Sequence, residues 1–352
     1  MSRRKSGTAT SHDVARVANV SQALVSRAFT GNGRIAPETR ERILKAAEQV
    51  GWQPNALARS MVTGDAPLVA VITTRLNFDW RAQVLSRLLK AIQEWHLKPL
   101  LFYAESDAEV DRLLEEALSW RARGVIVTAG VVRENRAAAI IEKGQFLVAL
   151  NRPANHEKGF SVATDNPLGG RMAAGLFLEE GRRRLLVLGG PQGSWAPSLR
   201  AEGFSEAARE AGLQAAIWNN DAMSTEAGRA CAERLLALPG NEQPDAVFAT
   251  NDAMALGFLD GLRGHRSIPD DIALIGFDNL PAADWPPYRL TTFEQPLEEM
   301  MRRLIAHVDV HGDGHSGGQA EDQQPQEESE PRARLIHCRP KLITRMTAGK
   351  TE

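Results

Sequence analysis

The chain has 352 residues, 43% of them hydrophobic and 24% charged, which is enough for two or three domains with sizeable cores. Its 2 cysteines are too few and too far apart for a disulfide framework or a cysteine-built metal site. The net charge of −2 conceals a division: residues 1–64 carry ten Lys and Arg against four Asp and Glu, so this stretch is +6 and the rest −8, as expected of a polyanion-binding module on an acidic body.

Residues 1–9 include Arg3-Arg4-Lys5 and read as a disordered basic tail. No apolar core follows it, so it is not a secretory leader, and no run approaches the roughly 18 apolar residues of a membrane span. A cytoplasmic protein is expected. Thr10, three residues ahead of Asp13, predicts a capping box before a short helix with Val14, Ala15, Val17 and Ala18 on its apolar face. Asn19 suits the turn, and Ser21 caps a second helix over 22–29. Leu24, Val25, Ala28 and Phe29 point inward there, leaving Gln22, Ala23, Ser26 and Arg27 outward. Two short helices joined in this way form a helix-turn-helix whose second helix is sized for the DNA major groove. Gln22 matches adenine and Arg27 guanine in bidentate pairing. A third helix starts near Pro37, carries Ile43, Leu44, Ala47 and Val50 at helical spacing, and stops at Gly51. The competing reading of this stretch is a plain three-helix bundle with a solvated face.

Gly64-Asp65-Ala66-Pro67 marks a boundary, after which the texture alternates between strand and helix. Strands are expected at 68–73, 99–103, 124–128 and 146–150, separated by helices at 81–95, 107–120 and up to 143. The pattern restarts after residue 165 with strands at 185–188, 215–218, 246–249 and 272–275 and helices at 168–179, 198–211, 225–237 and 252–263. This is the signature of doubly wound parallel sheets, here in two lobes. Residues 291–296 cross back to the first lobe, a helix covers 297–308, and 311–331 is a low-complexity insertion almost without apolar residues. Residues 334–337 and 342–345 resume as closing strands, assigned with 332–345 to the second lobe.

Asp13-Val14-Ala15, Val20-Ser21, Val25-Ser26-Arg27, Pro37-Glu38-Thr39-Arg40 and Pro54-Asn55-x-x-Ala58-Arg59 together resemble the head of the lac repressor/galactose repressor family, and the resemblance runs from about 10 to 345. It implies a lambda-repressor-like all-α head at 10–54, a hinge helix at 55–63, and a periplasmic-binding-protein-like α/β body at 66–345. Lobe 1 of that body spans about 67–164 and 295–310, and lobe 2 about 165–292 and 332–345. It further implies that Gln22, Ala23 and Arg27 read bases, with Thr10, Ser21, Ser26 and Asn32 in the same DNA-contacting set. Asn55, Ala58, Arg59 and Met61 fall on the hinge, Met61 standing where relatives carry a wedging leucine. Asn19 and Ala36 also depart from the family, which favours glycine and a capping serine there.

In open α/β sheets ligands sit beyond the carboxyl ends of strands. Asp165-Asn166, Asn251-Asp252 and Asp278-Asn279 fall at such ends, and Arg200 opens the family motif Arg200-x-x-Gly203-Phe204. The resemblance implies effector contacts from Asp165, Arg200, Asn251 and Asp278, with Trp80 and Met223 as further lining. Capping of the helix after each strand explains Asp165 and Asn251 equally well, and lobe packing explains Phe78 or Trp80 equally well. The implied protein is a regulator, a repressor, that binds a near-palindromic operator in double-stranded DNA as a homodimer under control of a small sugar or sugar-acid-like effector, with no cofactor, metal or membrane. Two rivals are a sugar-binding transport component, opposed by the basic head, and an α/β enzyme. Gly312-x-Gly314-x-x-Gly317 and Gly314-His315-Ser316-Gly317-Gly318 match a dinucleotide and a nucleophile-elbow pattern, but neither follows a strand or opens a helix.

Overall fold

The computed structural model describes residues 9–30, 34–54, 67–74, 76, 79–106, 109–128, 130, 132–312 and 334–349. It divides into two compact units, Met1–Ala66 and Pro67–Glu352. Asn32, the expected hinge with Asn55, Ala58, Arg59 and Met61, Phe78, and the insertion beyond Gly312 lie outside the described residues.

The first unit holds three helices, α1 (Ser11–Ala18), α2 (Gln22–Thr30) and α3 (Pro37–Val50). The capping box at α1 is formed: Thr10 Oγ1 accepts from the Asp13 amide at 3.4 Å, and Asp13 Oδ2 accepts from the Thr10 amide at 3.1 Å. Asn19 closes α1 in the left-handed region with φ 51°, which asparagine tolerates through its short polar side chain. Val14, Ala15, Ala18, Val25, Ala28, Ile43, Ala46 and Ala47 make the core, and Phe29 meets Trp52 edge-on at 5.0 Å. Two expected core residues face outward: Val17 is 43% and Leu44 45% exposed. Leu44 sits roughly 110° around α3 from the packed arc at about 100° per residue, and Ala46 takes the inward place.

The second unit contains two parallel sheets. In the first, β1 (Leu68–Thr74), β2 (Lys98–Ala104), β3 (Gly124–Val127), β4 (Phe146–Leu150), β5 (Phe160–Thr164) and a late strand, Arg334–Cys338, lie in the order Arg334–Cys338, β5, β4, β3, β1, β2. Helices α4 (Asp79–Glu94), α5 (Val110–Ser119) and α6 (Glu134–Glu142) connect them. In the second sheet β6 (Leu185–Gly189), β7 (Ala215–Asn219), β8 (Ala246–Ala249) and β9 (Ala273–Ile275) lie in the order β7, β6, β8, β9. Helices α7 (Asn166–Glu179) and α8 (Trp195–Glu210) cover one face of this sheet, and α9 (Thr225–Leu236) and α10 (Asp252–Leu262) the other. Then β10 (Thr292–Glu294) leads to α11 (Leu297–Gly312), whose Met300, Met301, Leu304 and Val308 pack into the first-lobe core. The late strand is β11, and β12 (Lys341–Ile343) pairs antiparallel with β10.

One boundary differs from the sequence reading. Residues 334–338 do not close the second lobe; β11 pairs in parallel with β5 and forms the edge of the first sheet. The chain that follows does close on the second lobe, as expected: Leu342 packs against its core, Arg345 Nη1 donates to the Leu290 carbonyl at 2.7 Å, and the Leu274 amide donates to the Thr347 carbonyl and the Met346 amide to the Arg289 carbonyl, each at 2.8 Å. A short apolar strand carries no label for which sheet it joins, and pairing partners of high sequence separation are a tertiary choice. Three chain passages therefore run between the sheets, after β5, after β10 and after β11. They are tied to one another, because the Asp165 amide donates to the Cys338 carbonyl at 2.8 Å and Thr164 Oγ1 donates to Gln295 Oε1 at 2.7 Å.

Candidate functional site

In the head, α2 buries Val25 and Ala28 and half-buries Leu24 and Phe29, while Ser21, Gln22, Ala23, Ser26 and Arg27 are exposed. The alternation follows from the helical period: residues 22, 23, 26 and 27 share one face and 24, 25, 28 and 29 the other. Ser21 Oγ accepts from the Leu24 amide at 3.3 Å and so caps α2, and Gln22 Nε2 donates to Ser11 Oγ at 3.0 Å, which orients the glutamine from the neighbouring helix. Thr10 is committed to the α1 capping box. The exposed face combines a carboxamide and a guanidinium, the groups that pair bidentately with base edges, on a helix of nine residues.

In the body the polar residues collect where the strands of the second sheet end. Arg200 is buried, 3% exposed. Its Nε donates to Asn166 Oδ1 at 2.8 Å and its Nη1 to the Thr250 carbonyl at 2.7 Å and to Asp278 Oδ1 at 3.4 Å. Its guanidinium lies 3.6 Å from the centre of the Phe277 ring. The motif that Arg200 opens explains its placement. A side chain at Gly203 would run into the Pro167 carbonyl and one at Gly170 into the Arg200 carbonyl. The two glycines let α7 and α8 cross in backbone contact, and Phe204 anchors α8 by stacking on Phe248 at 5.4 Å.

Asp278 is the second centre. It sits just past β9 with φ 116°, and Asn279 follows with φ 49°, so two consecutive non-glycine residues occupy strained backbone. Three bonds from other elements hold this turn: the Leu280 amide donates to Asp252 Oδ2 at 2.7 Å, the Asp252 amide to the Phe277 carbonyl at 2.7 Å, and Arg345 Nη2 to Asn279 Oδ1 at 2.8 Å. Burial pushes the Asp278 carboxyl up to about 6 against the pull of Arg200. Burial, then the Asp278 charge, pushes Asp252 up to about 7 although Thr292 Oγ1 donates to it at 2.5 Å. Burial also holds the Arg200 guanidinium below its ordinary value, and the two carboxylates oppose this.

Asp165 Oδ1 caps α7 by accepting from the Leu168 amide at 3.1 Å. Asn251 Oδ1 caps α10 by accepting from the Met254 amide at 3.0 Å, and its Nδ2 donates to the Met223 carbonyl at 3.1 Å. Both side chains therefore act as helix caps. Trp80 is half-buried, packs against the first-lobe core, and keeps its Nε1 buried without a partner among the described residues. Sequence reasoning passed over Gln295. Its Oε1 accepts from Asn151 Nδ2 at 3.0 Å and from Thr164 Oγ1 at 2.7 Å, both first-lobe groups, and its Nε2 donates to Asp278 Oδ1 at 2.6 Å. A buried glutamine between a strand and a helix-starting proline was the available signal. Among the described residues no three His, Cys, Asp or Glu side chains gather to hold a metal ion, and no helix is long and apolar enough to cross a membrane.

Comparison with known proteins bears on both units. Residues 10–55 match the model of bacterial regulatory proteins of the lacI family, and residues 174–336 match that of the periplasmic binding protein-like domain. The chain is 30% identical over 312 residues to the HTH-type transcriptional regulator GntR of Pseudomonas aeruginosa, covering 87% of this chain and 90% of that protein. The crystal structure of a LacI-family regulator from Silicibacter pomeroyi superposes with a TM-score of 0.78 at 25% identity, over 96% of this chain and 99% of the other. The complex of the transcriptional regulator CelR with cellobiose superposes with a TM-score of 0.64 at 25% identity, over 97% and 100%. The likeness thus extends along nearly the whole chain, head and body together, and the protein belongs to the lacI family of bacterial regulatory proteins.

Proposed function

We propose that this protein is a transcription repressor that binds a near-palindromic DNA operator as a homodimer and whose operator affinity is set by a sugar or sugar-acid-like effector held between its two lobes. The observation that carries the DNA-reading half is the face of α2, where Gln22, Ala23, Ser26 and Arg27 are exposed beside a packed core. In this reading Gln22, Ala23 and Arg27 meet base edges, and Thr10, Ser21, Ser26 and Asn32 meet the backbone. Asn55, Ala58, Arg59 and Met61 form a hinge that reaches the minor groove. A two-fold dimer requires two half-sites, which is why the operator is near-palindromic.

The sensing half rests on Arg200, Asp278, Asn251, Asp165, Met223 and Trp80 as effector contacts. The CelR complex with cellobiose supports a saccharide-like ligand for a body of this fold. The effector changes operator affinity only by the difference between its affinities for the two lobe arrangements. In this reading the protein is a regulator rather than an enzyme, and Asp252 and Asp278 serve to hold a turn and a guanidinium. Its partner is chromosomal DNA, which places it in the cytoplasm at the nucleoid.

Selection of bound duplexes from a randomised pool with the purified full chain tests this reading. Enrichment of a palindrome with a fixed centre is expected. A folded dimer that enriches no sequence, with or without added sugars and sugar acids, would overturn it.

A further inference from the structure

We infer that Gln295 is the positioning residue through which an effector at Arg200 and Asp278 sets the arrangement of the two lobes, and that it does so without contacting the effector. The inference rests on the reading of an effector-controlled regulator, and deepens it by assigning the coupling to one side chain. It stands on a closed ring of hydrogen bonds at the passages between the sheets.

The ring starts and ends on the guanidinium of Arg200. Its Nε donates to Asn166 Oδ1 at 2.8 Å, and Asn166 Nδ2 donates to the Thr164 carbonyl at 3.0 Å. Thr164 Oγ1 then donates to Gln295 Oε1 at 2.7 Å, and Gln295 Nε2 to Asp278 Oδ1 at 2.6 Å. Arg200 Nη1 reaches the same Oδ1 at 3.4 Å and closes the circuit. Thr164 and Asn166 flank the first passage, after β5, and Gln295 stands on the second, after β10. The ring thus joins two passages to the pair expected to meet the effector. Thr164, Asn166, Arg200 and Gln295 are all buried, so a bond lost here is poorly replaced by water.

The chemistry of the neighbours fixes which way Gln295 points. The Thr164 amide, which can only donate, gives its hydrogen to Asn151 Oδ1 at 2.9 Å. Asn151 therefore turns Nδ2 toward Gln295 and donates to Oε1 at 3.0 Å. With two donors from the first lobe on Oε1, Nε2 is left for the carboxylate of the second. The carboxamide is thus pulled from both sides: Asn151 and Thr164 end β4 and β5 of the first sheet, and Asp278 follows β9 of the second. Pro296 confines the Gln295 backbone to extended conformations, so the backbone has little slack to absorb a displacement. Movement of one lobe against the other therefore stretches or breaks a bond to this side chain. An effector that draws on Arg200 or Asp278 changes the strength of the same bonds. The two lobe arrangements then differ in their affinity for the effector, which is what coupling requires.

The test uses the full-length protein, an operator duplex obtained by selection, and cellobiose, D-galactose, D-ribose, D-gluconate and D-glucuronate as probes. Operator Kd is measured with and without each probe at saturation, and probe Kd by calorimetry. At least one probe is expected to change operator Kd about tenfold or more in the wild type. Gln295→Met, of similar size but without the carboxamide, should reduce that change to below threefold, with probe Kd for the free protein within threefold of wild type. Asn151→Gly removes the first-lobe partner and suits the backbone φ of 53° at this position; it should uncouple in the same way and serves if Gln295→Met fails to fold. Thr347→Val is the control. Thr347 is buried and bonded to the Thr291 amide and the Leu274 carbonyl, outside the ring, so this variant should lose stability and keep the coupling. Coupling retained in Gln295→Met or Asn151→Gly, coupling lost equally in Thr347→Val, or a tenfold loss of probe affinity in Gln295→Met would overturn the inference and leave the regulator reading in place. A folded dimer that binds none of the probes would remove the sugar-responsive site itself, and the inference with it.

Discussion

Arg200 and Asp278 were singled out in the sequence by motif and by position after a strand, and the structure puts them in direct contact. What the sequence does not display is how closely they are bound into other elements, through Asn166, Thr250 and Gln295. Removing one partner of such a buried pair costs about 3–5 kcal/mol, so Asp278→Asn, which keeps size and an acceptor, is the informative change. It should abolish the effector response in an operator-release assay while operator affinity without effector stays within threefold. Loss of operator binding by a folded dimer would count against the site. In the head, Arg27→Ala should cost roughly 1–3 kcal/mol at one base pair per half-site. Equal weakening on every sequence would make Arg27 a phosphate contact instead.

Titration of the buried carboxylates gives a further check on single residues. Asp252 and Asp278 are held at about 7 and about 6 in the fold, against an ordinary value of 3.8. The folded protein therefore keeps protons that the unfolded chain releases. The contribution of these groups to stability is greatest below about pH 4 and falls as pH rises to 7. Urea midpoints of the body should decline between pH 5.5 and 8 from this cause, and Asp252→Asn should flatten that decline. An unaltered slope in the variant would mean that Asp252 does not titrate in this range.

Among the elements, helices and buried strands were legible because their periods are local. The capping box of α1, the Gly51 stop of α3 and the fully buried run of β1 each depend on residues within a few positions of one another. Where the expectation failed, a distant partner decided. Val17 and Leu44 carry apolar side chains within the right helices, yet the arc that packs is chosen by the neighbouring helix. Ala36 leaves α3 without a side-chain cap. Ala36→Ser should therefore stabilise the head by about 1 kcal/mol, read as a rise in its thermal midpoint. At the α7–α8 crossing the opposite holds. Gly203→Ala meets backbone rather than a yielding side chain, so a loss of about 1–3 kcal/mol or more is expected, measured by urea unfolding. A loss under 0.5 kcal/mol, on the scale of an ordinary surface change, would show that the helices can slide apart.

Across the whole molecule, the +6 of residues 1–64 against the −8 of the rest was visible by counting, and it predicts operator affinity that falls steadily with salt. The chain by itself also determined the two-part organisation and the parallel-sheet texture, because both follow from composition and short-range periodicity. It placed Asp278, Asn251 and Asp165 at strand ends by the same local logic, while Arg200 stood out only through the motif it opens. Only the tertiary structure decided that β11 joins the first sheet and that Gln295 bridges the passages between lobes. Those relations link residues more than 100 positions apart. They are set by which surfaces bury each other and which buried polar groups must find partners, and no sequence window contains both members of such a pair.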